Sequence, residues 1–163
     1  MDQFDDEYEC FTCKRRFRAA LFSISREWDR VHYHEGETEV EISGSEGLEC
    51  YCSQVCGTAR RALVMAREGV PIRRPGLGPI EPCSKCAAPV DMAEFHLTYL
   101  ESFDVHESSL VVRTVTVDYL AVLCRKCRPP QSGEASLEYT VAHHEIAEPN
   151  ASASTPLLSN INT

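Results

Sequence analysis

The chain has 163 residues, 43% of them hydrophobic, and a formal net charge of −9. That length holds one ordinary domain or two small ones, and two units of about 70 residues each would have thin cores that need metal or cross-links. A balance this acidic argues against broad, non-specific nucleic-acid binding, which runs on Lys/Arg–phosphate contacts, and leaves a protein partner as the expectation.

The first nine residues carry five acids and no apolar run, so no secretory signal is expected. No stretch approaches the roughly 20 apolar residues of a membrane span, so no membrane partner is expected either. The expected compartment is cytoplasmic, where thiols stay reduced and clustered cysteines hold metal rather than form disulfides.

The first cysteine pair is Cys10-Phe-Thr-Cys13. Residues 17–34 and 38–42 read as strands, the second from the polar–apolar alternation of Thr38-Glu-Val-Glu-Ile42, with Glu35-Gly36-Glu37 as the turn between them. His32 and His34 alternate on the first of these strands, as metal-capable or as simply solvated side chains. Glu35 to Glu49 holds six acids and no base. A second pair follows at Cys52 and Cys56, with Cys50 left over as a packed free thiol or an alternate ligand in place of Cys52.

Residues 53–68 predict a helix, with Ser53 as N-cap and Gly69 as the left-handed C-terminal residue. Val55, Ala59, Ala62, Leu63 and Ala66 form its apolar face at helical spacing, which predicts the side turned to the core. Arg60, Arg61, Arg67, Arg73 and Arg74 make the one sizeable basic run, either an ordinary solvated face or a contact for phosphate or an acidic partner. Gly69 to Pro82 has four prolines and three glycines, which predicts a linker at 70–82.

The third pair is Cys83-Ser-Lys-Cys86 and the fourth Cys124-Arg-Lys-Cys127. Leu110 to Leu123 is rich in Val and Thr and predicts a strand. Residues 92–105 fit either a helix or a strand, and strand is preferred because a hairpin with 110–123 closes the unit. After Arg128 there is no Lys or Arg and one aromatic, Tyr139, so 129–163 reads as a mostly disordered tail with a short element at 136–147. His143-His144 reads as solvated. The Asn150-Ala-Ser152 triplet reads as a chance glycosylation match.

The pairs repeat. Cys10 and Cys13 recur 73 residues later and Cys52 recurs 72 residues later, with 38 residues between the pairs in the first half and 37 in the second. Equal spacing predicts two copies of one plan, 1–69 and 83–128. Four cysteines supply the soft tetrahedral donor set of structural zinc. Such an ion contributes about 10–16 kcal/mol at neutral pH, against about 5–15 kcal/mol for a whole domain, so it would decide whether units this small fold. Lys14, Arg15, Arg16, Lys85, Arg125, Lys126 and Arg128 crowd the pairs, where cations favour thiolates.

Tyr51-Cys52-Ser53-Gln54-Val55-Cys56 resembles the YCS/FCS-x-x-C signature of treble-clef zinc fingers. The resemblance implies a knuckle, a β-hairpin, and then two cysteines at the start of a helix. The second unit departs from it, because Cys127 is followed by Pro129-Pro130 rather than a helix, and looks more like a zinc ribbon. The expected fold is therefore a small, metal-stabilised α+β protein with two tandem zinc-binding units and two Zn²⁺. Cys10, Cys13, Cys52 and Cys56 are assigned to one ion, and Cys83, Cys86, Cys124 and Cys127 to the other. A cross-brace joining alternate pairs is the alternative. The expected function is non-enzymatic, as a protein-interaction or regulatory module. The alternatives are a nucleic-acid-binding or transcription-related factor using the Arg60–Arg74 face, and a thiol redox protein.

Overall fold

A turn at Glu35-Gly36, with Gly36 at φ 83°, folds two 15-residue strands onto each other in the computed structural model. The model describes residues 7–108 and 111–129, and the backbone of 143–145. In chain order the elements are β1 (Tyr8–Glu9), β2 (Arg16–Phe17), β3 (Ala20–His34), β4 (Glu37–Tyr51), α1 (Gln54–Glu68), β5 (Ile80–Pro82), β6 (Pro89–Asp91), β7 (His96–Ser108), β8 (Val111–Leu123) and β9 (His143–Glu145). The strand expected at 38–42 is thus the opening third of a longer one. The ambiguous 92–105 segment resolves as strand from His96 onward.

The two long hairpins do not stand apart. β3 pairs with β7 over ten consecutive positions, from Ala20 opposite Val105 to Asp29 opposite His96. One antiparallel sheet results, in the order β8-β7-β3-β4-β9. Two small two-stranded ladders, β1-β2 and β5-β6, stand beside it. Of the tail, β9 adds to the edge of β4. The rest of the 136–147 element and of the expected disordered tail lies outside the described residues.

Pairing in register puts alternate β3 residues on opposite faces. One face carries Phe22, Ile24 and Arg26, with Tyr99 and Glu101 of β7 and Tyr51 of β4 alongside. Helix α1 lies on this face. Ser53 caps it by accepting from the Cys56 amide at 3.2 Å, and Gly69 closes it in the left-handed region at φ 68°.

The helix is rotated from the expectation. Its buried residues are Gly57, Val64 and Met65, whereas Val55 is 79% and Leu63 60% exposed, and Ala59, Ala62 and Ala66 are exposed with them. Two features explain the rotation. A Cβ at position 57 would stand only 3.2 Å from the Tyr51 ring, so glycine lets the helix approach there. Arg60, Arg61 and Glu68 reach partners on the sheet with their heads, which commits that side of the helix inward.

The proline-rich segment after α1 packs rather than hanging free. Val70 is buried, the Arg73 amide donates to the Leu120 carbonyl at 2.9 Å, and Tyr33 Oη donates to the Gly78 carbonyl at 2.7 Å. It thereby covers the opposite face of the sheet, where Pro75 and Leu77 lie over Asp29, Thr98 and Tyr119. No helix among the described residues is long and apolar enough to cross a membrane.

Candidate metal centres

Each half builds its first cysteine pair as the tip of a tiny hairpin. β1 and β2 flank Cys10 and Cys13, and β5 and β6 flank Cys83 and Cys86. The tips share their hydrogen bonds. The Cys10 amide donates to the Arg15 carbonyl at 2.9 Å and the Cys83 amide to the Ala88 carbonyl at 2.8 Å. Lys14 and Ala87 return their amides to the Cys10 and Cys83 carbonyls at 2.9 and 2.8 Å.

Each tip then docks on the strand that carries the second pair. The Phe11 amide meets the Cys50 carbonyl at 3.1 Å, and the Ser84 amide meets the Val122 carbonyl at 2.8 Å. Cys50 and Val122 both stand two residues before the first cysteine of their second pair. Cys50 therefore occupies a strand-docking position, and its sulfur donates to the Glu9 carbonyl at 3.5 Å, away from the ligand group. Thr12 adds a tie at the first tip, donating to the Cys56 carbonyl at 2.8 Å.

The outcome is two four-sulfur groups, Cys10/Cys13/Cys52/Cys56 and Cys83/Cys86/Cys124/Cys127. Within each, all four Sγ atoms lie within 4.8 Å of one another. Cys13 and Cys52 are 3.5 Å apart, Cys52 and Cys56 4.0 Å, and Cys86 and Cys124 3.6 Å. A tetrahedral ion with about 2.3 Å metal–sulfur bonds spaces its sulfurs about 3.8 Å apart. A disulfide needs about 2.05 Å, and all nine cysteines are free. The groups follow the sequential pairing and not the cross-brace. Such a donor set can hold a metal ion with a preference for tetrahedral geometry and thiolate ligands.

The electrostatics single out one thiolate per group. Burial opposes ionisation of Cys10, but backbone amides of Cys13, Cys52 and Thr12 outweigh it and bring its pKa down to about 6. Burial likewise opposes ionisation of Cys83, and amides of Cys124, Cys86 and Lys85 bring it to about 6. Burial, then hydrogen bonds from Cys13, Cys10 and Cys56, push Cys52 up to about 12. The hydrogen bond with Cys86, then burial, does the same for Cys127. Each group is thus a thiolate held among thiols, and metal binding would expel the remaining protons. In the first centre Cys56 lies in the first turn of α1, where the helix dipole favours negative charge. In the second, the Cys124–Cys127 loop leads to no helix among the described residues.

The basic run is largely spoken for. Arg60 grips Glu49 through Nε at 3.0 Å and Nη2 at 2.6 Å, and Arg67 adds a contact at 2.9 Å. Arg61 pairs with Glu101 at 2.7 Å and Arg74 with Asp118 at 3.0 Å. Arg73 is exposed. Glu49, one acid among six in the sequence, is the residue that sequence reasoning missed. Its side chain is wholly buried, and Tyr51 donates to it as well, at 2.8 Å. Burial alone would raise its pKa, but the hydrogen bonds from Arg60, Tyr51 and Arg67 hold it below the usual carboxylate range.

His32 and His34 are not simply solvated. His32 Nε2 lies 2.6 Å from Glu41, and His34 Nε2 lies 3.9 Å from Glu39.

Comparison with known protein families, with curated proteins and with solved structures gives no match for this chain.

Proposed function

We propose that the chain is a non-enzymatic, cytoplasmic zinc protein that presents a surface to a protein partner. Two structural Zn²⁺ ions are held by the two groups of four cysteines, the first in a treble-clef-like unit and the second in a ribbon-like one. The observation that carries this reading is the gathering of eight thiols into two groups at tetrahedral sulfur spacing. Four thiolates fill the coordination sphere of zinc and leave no open position for a substrate, which suits a structural ion.

The interaction surface is the outer side of α1, where Val55, Ala59, Ala62, Leu63 and Ala66 form an exposed apolar stripe. The nucleic-acid alternative draws little support from the arginines, because Arg60, Arg61, Arg67 and Arg74 hold carboxylates of their own chain. The redox alternative needs an accessible low-pKa thiol, whereas Cys10 and Cys83 are both 0% exposed.

Elemental analysis with thiol counting tests the metal reading. Two zinc ions per chain are expected, with Cys50 the single readily titrated thiol and loss of the far-ultraviolet spectrum in strong chelator. A metal-free protein that keeps its spectrum and melting behaviour in chelator overturns it. The surface is tested by a photo-crosslinker at position 63. Capture of one defined protein there, absent when the crosslinker sits at Tyr33, supports the docking face. Equal capture at both positions removes it.

A further inference from the structure

Away from the cysteines, the free end of the β3–β4 hairpin gathers a second set of metal-capable side chains. In antiparallel register, Arg30 stands opposite Glu41, His32 opposite Glu39 and His34 opposite Glu37. On the other side of β4, β9 sets His143 opposite Glu41 and Glu145 opposite Glu39. Directly opposed residues share a face of the sheet. Three adjacent strands therefore line up His32, His34, Glu37, Glu39, Glu41 and His143 on one face.

The side-chain geometry on β3 and β4 matches what an ion requires. The His32 and His34 rings lie 6.2 Å apart, tilted by only 8°. A tetrahedral ion bonded at about 2.0–2.1 Å sets its nitrogen and oxygen ligands about 3.4 Å apart. His32–Glu41 at 2.6 Å and His34–Glu39 at 3.9 Å straddle that spacing. The four side chains are 24–62% exposed, so small rotations reach it without disturbing a core. Arg30 also binds Glu41, at 2.6 Å, but its guanidinium lies over the Phe95 ring at 4.8 Å and keeps that contact if the carboxylate turns away.

We propose that this row is a third metal site, for a borderline divalent ion such as Zn²⁺. His32, His34 and Glu41 are its ligands on the hairpin, and His143 is supplied by the added strand. Imidazole and carboxylate together select such ions over Ca²⁺ and Mg²⁺, which take oxygen alone. The site shares no residue with the cysteine groups and does not depend on them. Its consequence is local: ion binding fastens the chain after residue 142 to the edge of β4.

The test uses the full chain with its tight metal already in place. Added Zn²⁺ is followed by calorimetry and by the imidazole nitrogen signals. One further, weaker equivalent is expected, with shifts at His32 and His34. The His32→Asn/His34→Asn double variant weakens it at least tenfold while the tight zinc content is unchanged, and His143→Asn weakens it severalfold. Imidazole signals that ignore added Zn²⁺ in the unmodified protein overturn the site whatever the variants do. Unchanged affinity in either variant overturns it as assigned.

Discussion

Lys14 and Ala87 occupy the same place in the two halves of the molecule, each directly after the second cysteine of a knuckle, with φ of 63° and 60°. Both are non-glycine residues held in the left-handed region by the amide each returns to Cys10 or Cys83. That conformation costs a residue with a Cβ about 1–2 kcal/mol, which the greater unfolded-state entropy of glycine offsets in part. Lys14→Gly and Ala87→Gly are therefore expected to be neutral to stabilising by up to about 1 kcal/mol, and the β-branched Ala87→Val to destabilise by about 1–2 kcal/mol. Denaturant unfolding of the metal-loaded protein measures both. A clear loss with glycine would mean the turns are not strained.

Removing one thiol should cost one ion. Cys52→Ser and Cys127→Ser are each expected to lower bound zinc from two per chain to one, whereas Cys50→Ser should leave two. Metal analysis after extensive dialysis decides it. Loss of metal in Cys50→Ser would place that sulfur in the first centre.

Glu49 ties α1 to the sheet through Arg60 and Arg67. Glu49→Gln leaves two guanidinium groups with a neutral partner and is expected to destabilise by about 2 kcal/mol. Because the folded protein holds this carboxylate below its usual pKa, the contribution is present above the unfolded pKa and fades as pH falls through the folded one. The gap between the two proteins in melting temperature should therefore narrow on acidification.

The opposite sign holds on the other face. Asp29 is buried beneath Pro75 and Leu77, and neither of its carboxyl oxygens meets a hydrogen-bond partner among the described residues. Burial, then the charge of Glu27, raises its pKa well above the usual range, and burial pushes Glu27 up to about 7. A carboxyl that prefers its proton when folded weakens the fold as pH rises from the unfolded value toward the folded one. Glu27 should thus remove stability between about pH 4.5 and 7, and Glu27→Gln should flatten that part of the stability–pH curve. Asp29→Asn is expected to stabilise at neutral pH by about 1–3 kcal/mol. Melting curves across this range check both, and a variant less stable than its parent at pH 7 would refute the reading.

What the sequence discloses here is local. Ser53 and Gly69 mark the ends of α1 because capping depends on a few neighbouring backbone groups. The cysteine pairs announce four-sulfur groups because a knuckle brings two thiols together within one turn. The orientation of α1 is not legible from its pattern. Val55 and Leu63 have the character of core residues, but the inner face is set by Gly57 against Tyr51 and by arginine heads meeting Glu49 and Glu101, partners 8 to 40 residues away. The pairing of β3 with β7 is equally silent, since contact between strands some 75 residues apart leaves no mark on either one's alternation.

That ten-position seam between β3 and β7 bears on any attempt to dissect the molecule. A fragment ending near residue 69 would keep all four sulfurs of the first centre yet bare the whole flank of β3, a row of unsatisfied amides and carbonyls that solicits another copy. Each half, expressed alone, should bind its ion and then self-associate, and mixing the two should dissolve the aggregates into a one-to-one complex.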